Sequence, residues 1–150
     1  AFTDSLSNTG HLVPVWMLDQ WGETPDSFFR EKRFSHAHDK SVEWVAEGRV
    51  DGAAVDSLVW KYLKETDPDR VGKTRVIEIS PPLPIPPVVV HPAVDLVLKR
   101  RLRTALLEAH ADERGKRILD GMKIEKFVPI EDSAYDIIRK MKADLAKHGH

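Results

Sequence analysis

Apolar residues in this chain switch between short extended runs and stretches of helical spacing, most regularly between Arg33 and Trp60. Phe34-Ser35 reads as the end of a short strand and His36-Ala37-His38 as a turn. Val42, Val45 and Ala46 then fall at helical spacing over Lys40–Glu47, with Asp39 as N-cap and Gly48 as the stop. Residues 50–55 make a second short strand of small residues, broken by Asp51 and Gly52. Asp56-Ser57 caps a helix that runs through Leu63. Upstream, Ala1-Phe2-Thr3 has the character of a strand, and a polar turn from Asp4 to Gly10 leads into a helix from His11 past Trp16. Pro14 fits that helix only near its first turn. The pattern is strand, helix, strand, helix, with polar side chains at each hand-over. In open α/β sheets ligands sit outside those strand ends.

The remaining pattern divides the chain. Pro25 to Arg30 reads as a short helical connection, and Tyr62 to Gly72 as a charged surface loop. Arg75 to Ile79 alternates as a strand. Prolines at 81, 82, 84, 86 and 87 then forbid a helix and remove sheet donors, which predicts a stiff extended crossover. Val88-Val89-Val90 follows as a further strand. Val94–His110 is a long amphipathic helix with Leu98, Leu102, Ala105, Leu106 and Ala109 on one side. Lys99, Arg100, Arg101 and Arg103 make a solvated basic face. Asp112–Asp120 is a second helix stopped by Gly121, residues 126–129 are extended, and Asp132 caps a last helix over Ser133–Lys147. The expected organisation is a ligand-binding lobe at 1–79, a proline-rich hinge at 80–87, and a mostly helical segment at 88–150. No internal repeat is present.

Composition narrows the class. The chain has 150 residues, 41% hydrophobic and 31% charged, which suits a globular chain with a real core rather than a disordered or membrane-spanning one. No apolar run approaches membrane-spanning length. With no cysteine, disulfides, thiolate metal sites and cysteine nucleophiles are excluded. The net charge of −1 gives no nucleic-acid footprint, but it is uneven: residues 1–78 carry 10 basic and 14 acidic side chains, residues 79–150 carry 13 and 10. That shift coincides with the proline-rich segment. The chain begins at Ala1 with no signal peptide or lipid-attachment cysteine, and is expected to be an excised or processed piece.

Three constellations carry chemistry. His36, His38 and Asp39 suggest a metal site only weakly, because a third ligand at recognisable spacing is lacking. Ser5, Ser7, His38 and Asp56 could suggest a hydrolase, but no nucleophile turn surrounds either serine. The collective reading is stronger. Ser7, Asn8 and Thr9, then His38, then Asp56 each fall at a strand-to-helix junction, so all could face one crevice. Helix-start amides and short hydroxyl or amide side chains suit a small tetrahedral oxyanion, and Asp56 could accept from a protonated oxygen. An ordinary N-cap is the plain alternative for Ser7–Thr9.

Four stretches in order, FTDSLSNTGHLVP, SHAHDKSVEWVAEGRVDGAAVDS, SPPLPIPPVVVHP and KRILDGMKIEKFVP with Ser133-Ala134-Tyr135-Asp136, resemble the phosphonate/phosphite/phosphate-binding proteins of ABC importers. The resemblance implies an α/β fold of the type II periplasmic binding protein kind, one lobe plus the returning part of the other, corresponding to roughly the latter half of a family member. It implies no catalysis, no metal and no cofactor. It places the oxyanion-binding run on Ser7, Asn8 and Thr9 and the anion-contacting histidine on His38. The acidic residues that hold an amine in aminophosphonate binders fall on Pro86 and Leu58, which favours phosphite, phosphate or an alkylphosphonate. The implied partners are that oxyanion, an ABC transporter permease, and the missing N-terminal part of the protein or a swapped copy. The implied location is periplasmic or extracytoplasmic. A ligand-sensing domain of a signalling protein is the alternative within the fold; a phosphoester or metal-dependent hydrolase is the rival from another class.

Overall fold

The computed structural model describes residues 1–149, and helices dominate them. A π-helical turn at Asn8–Leu12 runs into α1 (Val13–Gln20), followed by α2 (Pro25–Phe28), α3 (His38–Ala46), α4 (Ser57–Thr66) and α5 (Pro68–Val71). Then come α6 (Leu96–Leu107), α7 (Glu113–Gly121) and α8 (Asp136–His148), with 3₁₀ turns at Ala109–Ala111 and Asp132–Tyr135. Among the described residues no helix is long and apolar enough to cross a membrane.

Local caps explain most helix starts. Asp56 caps α4 by accepting from the Leu58 amide at 2.8 Å, Asp95 caps α6 through Val97 and Leu98, each at 2.9 Å, and Asp112 caps α7 through Gly115 at 2.8 Å. The segment 62–72, expected as a loop, contains α5: Asp67 caps it, Pro68 supplies a helix-compatible φ, and Val71 is buried beneath it. The expected cap at Asp39 is corrected too. The cap position is Ala37, whose carbonyl accepts from the Ser41 amide at 3.0 Å, and Asp39 lies inside the first turn. Asp132 likewise starts a 3₁₀ turn, not α8 itself.

The expected strands contract sharply. Three lines of backbone run side by side with residues 1–3 in the middle. Phe2 donates to the Arg33 carbonyl at 2.9 Å, Ser35 donates to Phe2 at 2.9 Å, and His36 donates to Thr3 at 2.8 Å. On the other side the Ala1 ammonium donates to the Gly52 carbonyl at 2.6 Å, and Ala54 donates to Ala1 at 3.1 Å. Each line is so short that the pairing amounts to a single parallel bridge, Phe2 with Phe34. Residues 75–79 and 88–90 lie outside every helix and strand, and Ile77, Ile79, Val88 and Val89 are exposed. An extended segment is a strand only when a neighbour takes its N–H and C=O groups.

The chain forms two compact units, Ala1–Leu83 with Tyr135–His150, and Pro84–Ala134. The first holds two apolar clusters. Phe2, Val15 and Leu145 pack with Leu12 and Trp16; Val42, Leu63 and Val71 pack with Val55, Val59 and Trp60. Helix α8 packs on α1 in this unit. Leu145 and Met141 are buried there, the Trp16 indole donates to Asp144 at 3.3 Å, and His148 pairs with Asp19 at 2.7 Å. Sequence pattern alone grouped these closing residues with 88–134. The second unit contains α6, the 3₁₀ turn and α7, with Leu119 buried. Gly115 is required there by close approach: a Cβ would lie 1.8 Å from the Ala109 carbonyl oxygen.

Candidate functional site

Site residues occupy the ends of the three backbone lines. The turn after Thr3 is held by Asp4, whose carboxylate accepts from the Leu6 amide at 2.8 Å and whose carbonyl accepts from Ser7 at 3.1 Å. Ser7 is the N-cap of the helical run, and its hydroxyl accepts from the Gly10 amide at 3.0 Å. The amides of Asn8 and Thr9 sit at the helix start, where intrahelical acceptors are lacking. Gly10 lies hard against the first line. Thr3 donates its amide to the Gly10 carbonyl at 3.1 Å, and a Cβ on Gly10 would meet the Thr3 hydroxyl oxygen at 1.7 Å. Thr3 itself is 3% exposed, and its hydroxyl has no hydrogen-bond partner. No larger residue fits at position 10 without displacing this turn.

The second line delivers His38. Ser35 and Ser41, 8% and 0% exposed, share a hydroxyl hydrogen bond of 2.6 Å, and the Ser35 hydroxyl lies 3.0 Å from the Ala37 carbonyl. This buried pair ties the strand end to the first turn of α3 and fixes where His38 emerges. His36, by contrast, is exposed and sits in the left-handed region at φ 65°. The two histidines therefore part company, and among the described residues no three His, Cys, Asp or Glu side chains gather as metal ligands.

His38 joins the other two lines. Its Nε2 lies 3.4 Å from Thr9 Oγ1, and its Nδ1 accepts from the Asp56 backbone amide at 3.0 Å. An amide can only donate, so Nδ1 carries no proton and the neutral ring carries its hydrogen on Nε2. Burial of the half-buried ring holds its pKa below the ordinary histidine range, outweighing the upward pull of the Asp56 and Asp39 carboxylates. The imidazole is neutral at neutral pH.

Of the sequence-predicted residues, Thr9, His38 and Asp56 meet directly. Ser7 caps the same turn, and Asn8 stands exposed beside it. Asp56 contributes in a way spacing did not suggest: its amide holds His38, while its Oδ1 caps α4. Thr3, Gly10, Ser35 and Ser41 were not singled out. Their only sequence signal is a small polar residue next to one apolar residue, Thr3 after Phe2, Ser35 after Phe34 and Ser41 before Val42, and Gly10 lacks even that. A second feature lies apart from this junction. Phe2, His11 and Phe34 stack edge-on or tilted, with centroids 5.0 to 6.1 Å apart, beside an apolar cavity of about 280 Å³. Burial holds the His11 pKa below its ordinary value.

Residues 1–135 match the family described as the periplasmic substrate-binding protein of phosphonate ABC transporters. Over 97% of its length the chain is 26% identical to a protein of Prochlorococcus marinus (strain MIT 9301) called a probable ABC transporter phosphite binding protein, PhnD1, and spans 51% of that relative. Its fold matches a solved structure of PhnD1 from Prochlorococcus marinus (MIT 9301) in complex with methylphosphonate. The TM-score is 0.80 at 23% identity, covering 98% of this chain and 56% of the other. The chain thus shares the fold of that type II periplasmic binding protein and spans about half the length of the relatives it matches.

Proposed function

The chain belongs to the family of periplasmic substrate-binding proteins of phosphonate ABC transporters, and we propose that it supplies the anion seat of such a protein. The family is one of solute-binding components, not enzymes. The proposed ligand is a small phosphorus oxyanion: phosphite, phosphate or a simple alkylphosphonate. The seat consists of the helix-start amides and side chains of Ser7, Asn8 and Thr9, with His38, and with Asp56 accepting from a protonated ligand oxygen. The rest of the cleft comes from further polypeptide, in the same chain or a second copy. The loaded protein delivers its cargo to an ABC permease from an extracytoplasmic compartment.

One observation supports this reading: Thr9, His38 and Asp56, 29 and 18 residues apart in sequence, converge by hydrogen bonds where three chain segments hand over to helices. Such junctions collect free backbone donors, and a desolvated oxyanion is held by donors. Specificity follows from two other positions. Pro86 and Leu58 offer no carboxylate, and burying an unpaired ammonium costs several kcal/mol. Calorimetry on the intact protein should therefore find phosphite or methylphosphonate binding more tightly than 2-aminoethylphosphonate. Tightest binding of the aminophosphonate would reverse the specificity reading, and no binding of any phosphorus oxyanion would overturn the function.

A further inference from the structure

We propose that one face of α6 is a docking surface for an anionic lipid bilayer. This goes beyond the oxyanion reading and does not rest on it. The face begins with Leu96 and Val97, 66% and 65% exposed. One turn later come Arg100 and Arg101, then Arg103, all of them exposed. The spacings 96, 100, 103 and 97, 101 set each apolar side chain beside a guanidinium on the same side of the helix. Leu98, Leu102, Ala105 and Leu106 lie further round, so the stripe that suits helix packing is a different one.

The arginines do nothing for the helix itself. Cations on other helices are matched within a turn, Lys40 with Glu43, Arg117 with Glu113 at 3.9 Å and Arg139 with Asp136 at 2.6 Å. Helix α6 contains no acidic residue, and among the described residues no carboxylate pairs with Arg100, Arg101 or Arg103. The carboxylate of Asp95, just before the helix, is taken up by the Val97 and Leu98 amides at 2.9 Å. Lys99 is engaged as well, its Nζ donating to the Pro92 carbonyl at 2.7 Å. Arg103 then stands three residues from Arg100 and four from Lys99, and such like-charge neighbours weaken a helix. Unmatched guanidinium groups suit carboxylate or phosphate oxygens, while Leu96 and Val97 gain by leaving water. An anionic bilayer meets both needs at once, with phosphates at headgroup level and acyl carbon just beneath. An acidic protein surface would meet only the first. At 12 residues, α6 is about 18 Å long, which suits a helix lying in the interface, and no described helix is long and apolar enough to cross a membrane.

The test is co-sedimentation of the intact protein with phosphatidylcholine vesicles and with vesicles that also contain phosphatidylglycerol. Binding should appear only with phosphatidylglycerol and should fall as salt is raised. Replacing Arg100, Arg101 and Arg103 together by Gln should weaken it about 100-fold, at about fivefold per cation. Leu96→Ser with Val97→Ser should weaken it less and leave the salt dependence in place. Removing the same charge from α7, by Arg114→Gln, Lys116→Gln and Arg117→Gln, should cost under about fivefold. Melting temperatures of the variants should match that of the unaltered protein. Equal binding to both kinds of vesicle would overturn the proposal. Equal losses from the α6 and α7 variants would overturn it too, by reducing the effect to net charge. Capture by immobilised polyglutamate, with no binding to phosphatidylglycerol, would overturn it in favour of an acidic protein partner.

Discussion

The two compact units use similar sequence material very differently. Unit one buries Phe2, Val13, Val15, Leu18, Val42, Leu63, Val71, Met141 and Leu145, each 9% exposed or less; unit two buries only Leu119 among its large apolar side chains. Helix α6 has no buried residue at all, and Leu96 and Val97 are 66% and 65% exposed. Yet α6 carries an apolar side in its sequence, with Leu98, Leu102, Ala105 and Leu106 at helical spacing. An apolar stripe commits a helix to burial somewhere, but the partner decides where that burial happens. The unit that buries its apolar surface internally can hold side chains in fixed places, and this is where Thr9, His38 and Asp56 lie.

The strongest way to break that comparison is to remove core volume on each side. Met141→Ala should destabilise the chain by about 2–5 kcal/mol, as for other fully buried large-to-small changes. Leu96→Ala should stay within about 0.5 kcal/mol, as for an exposed position. Chemical denaturation of both variants decides it, and equal losses would mean that unit two carries a hidden share of the core. A middle-sized effect separates the histidines of unit one. His38→Ala should weaken phosphite binding by about 1.5–3 kcal/mol, while His36→Ala, at an exposed turn, should leave it nearly unchanged. Equal losses in calorimetry would return both to one site.

The smallest effect sharpens the comparison through pH. His11 and His38, both in unit one, have pKa values lowered chiefly by burial. Each binds a proton more readily unfolded than folded, so the stability it contributes is complete above the ordinary histidine pKa of about 6.5 and is lost as pH falls through the lower folded value. Melting temperature should decline over that acidic window, and the decline should be shallower in His11→Phe. A melting temperature unchanged across the window would mean that neither ring is desolvated.

Much of the helical layout was legible because its causes are local. Asp56, Asp95 and Asp112 cap helices by bonding amides two or three residues onward, and such bonds need only the right residue beside an apolar run. The short α5 was missed because Asp67-Pro68-Asp69 reads equally as a turn, and only the burial of Val71 makes it a helix. The strands at 75–79 and 88–90 were overread. Alternating and β-branched residues state a capacity for pairing, but pairing needs a second chain segment at 4.7–4.9 Å, roughly.

Residue types and their spacing already mark which side chains could serve an anion: hydroxyls, an amide, a histidine and a carboxylate at the hand-overs to helices. Tertiary structure decided what each of them does. Thr9 meets His38 across 29 residues and His38 meets the Asp56 amide across 18. The ring's tautomer depends on that second contact, so no local pattern could announce it. Trp16 and Asp144 join α1 to α8 across 128 residues, and that contact, with Leu145 in the Phe2 cluster, assigns the last helix to the first unit. Local hydrogen bonds cost little chain entropy and are written into neighbouring residues. Distant ones form only when the core has already brought their partners together.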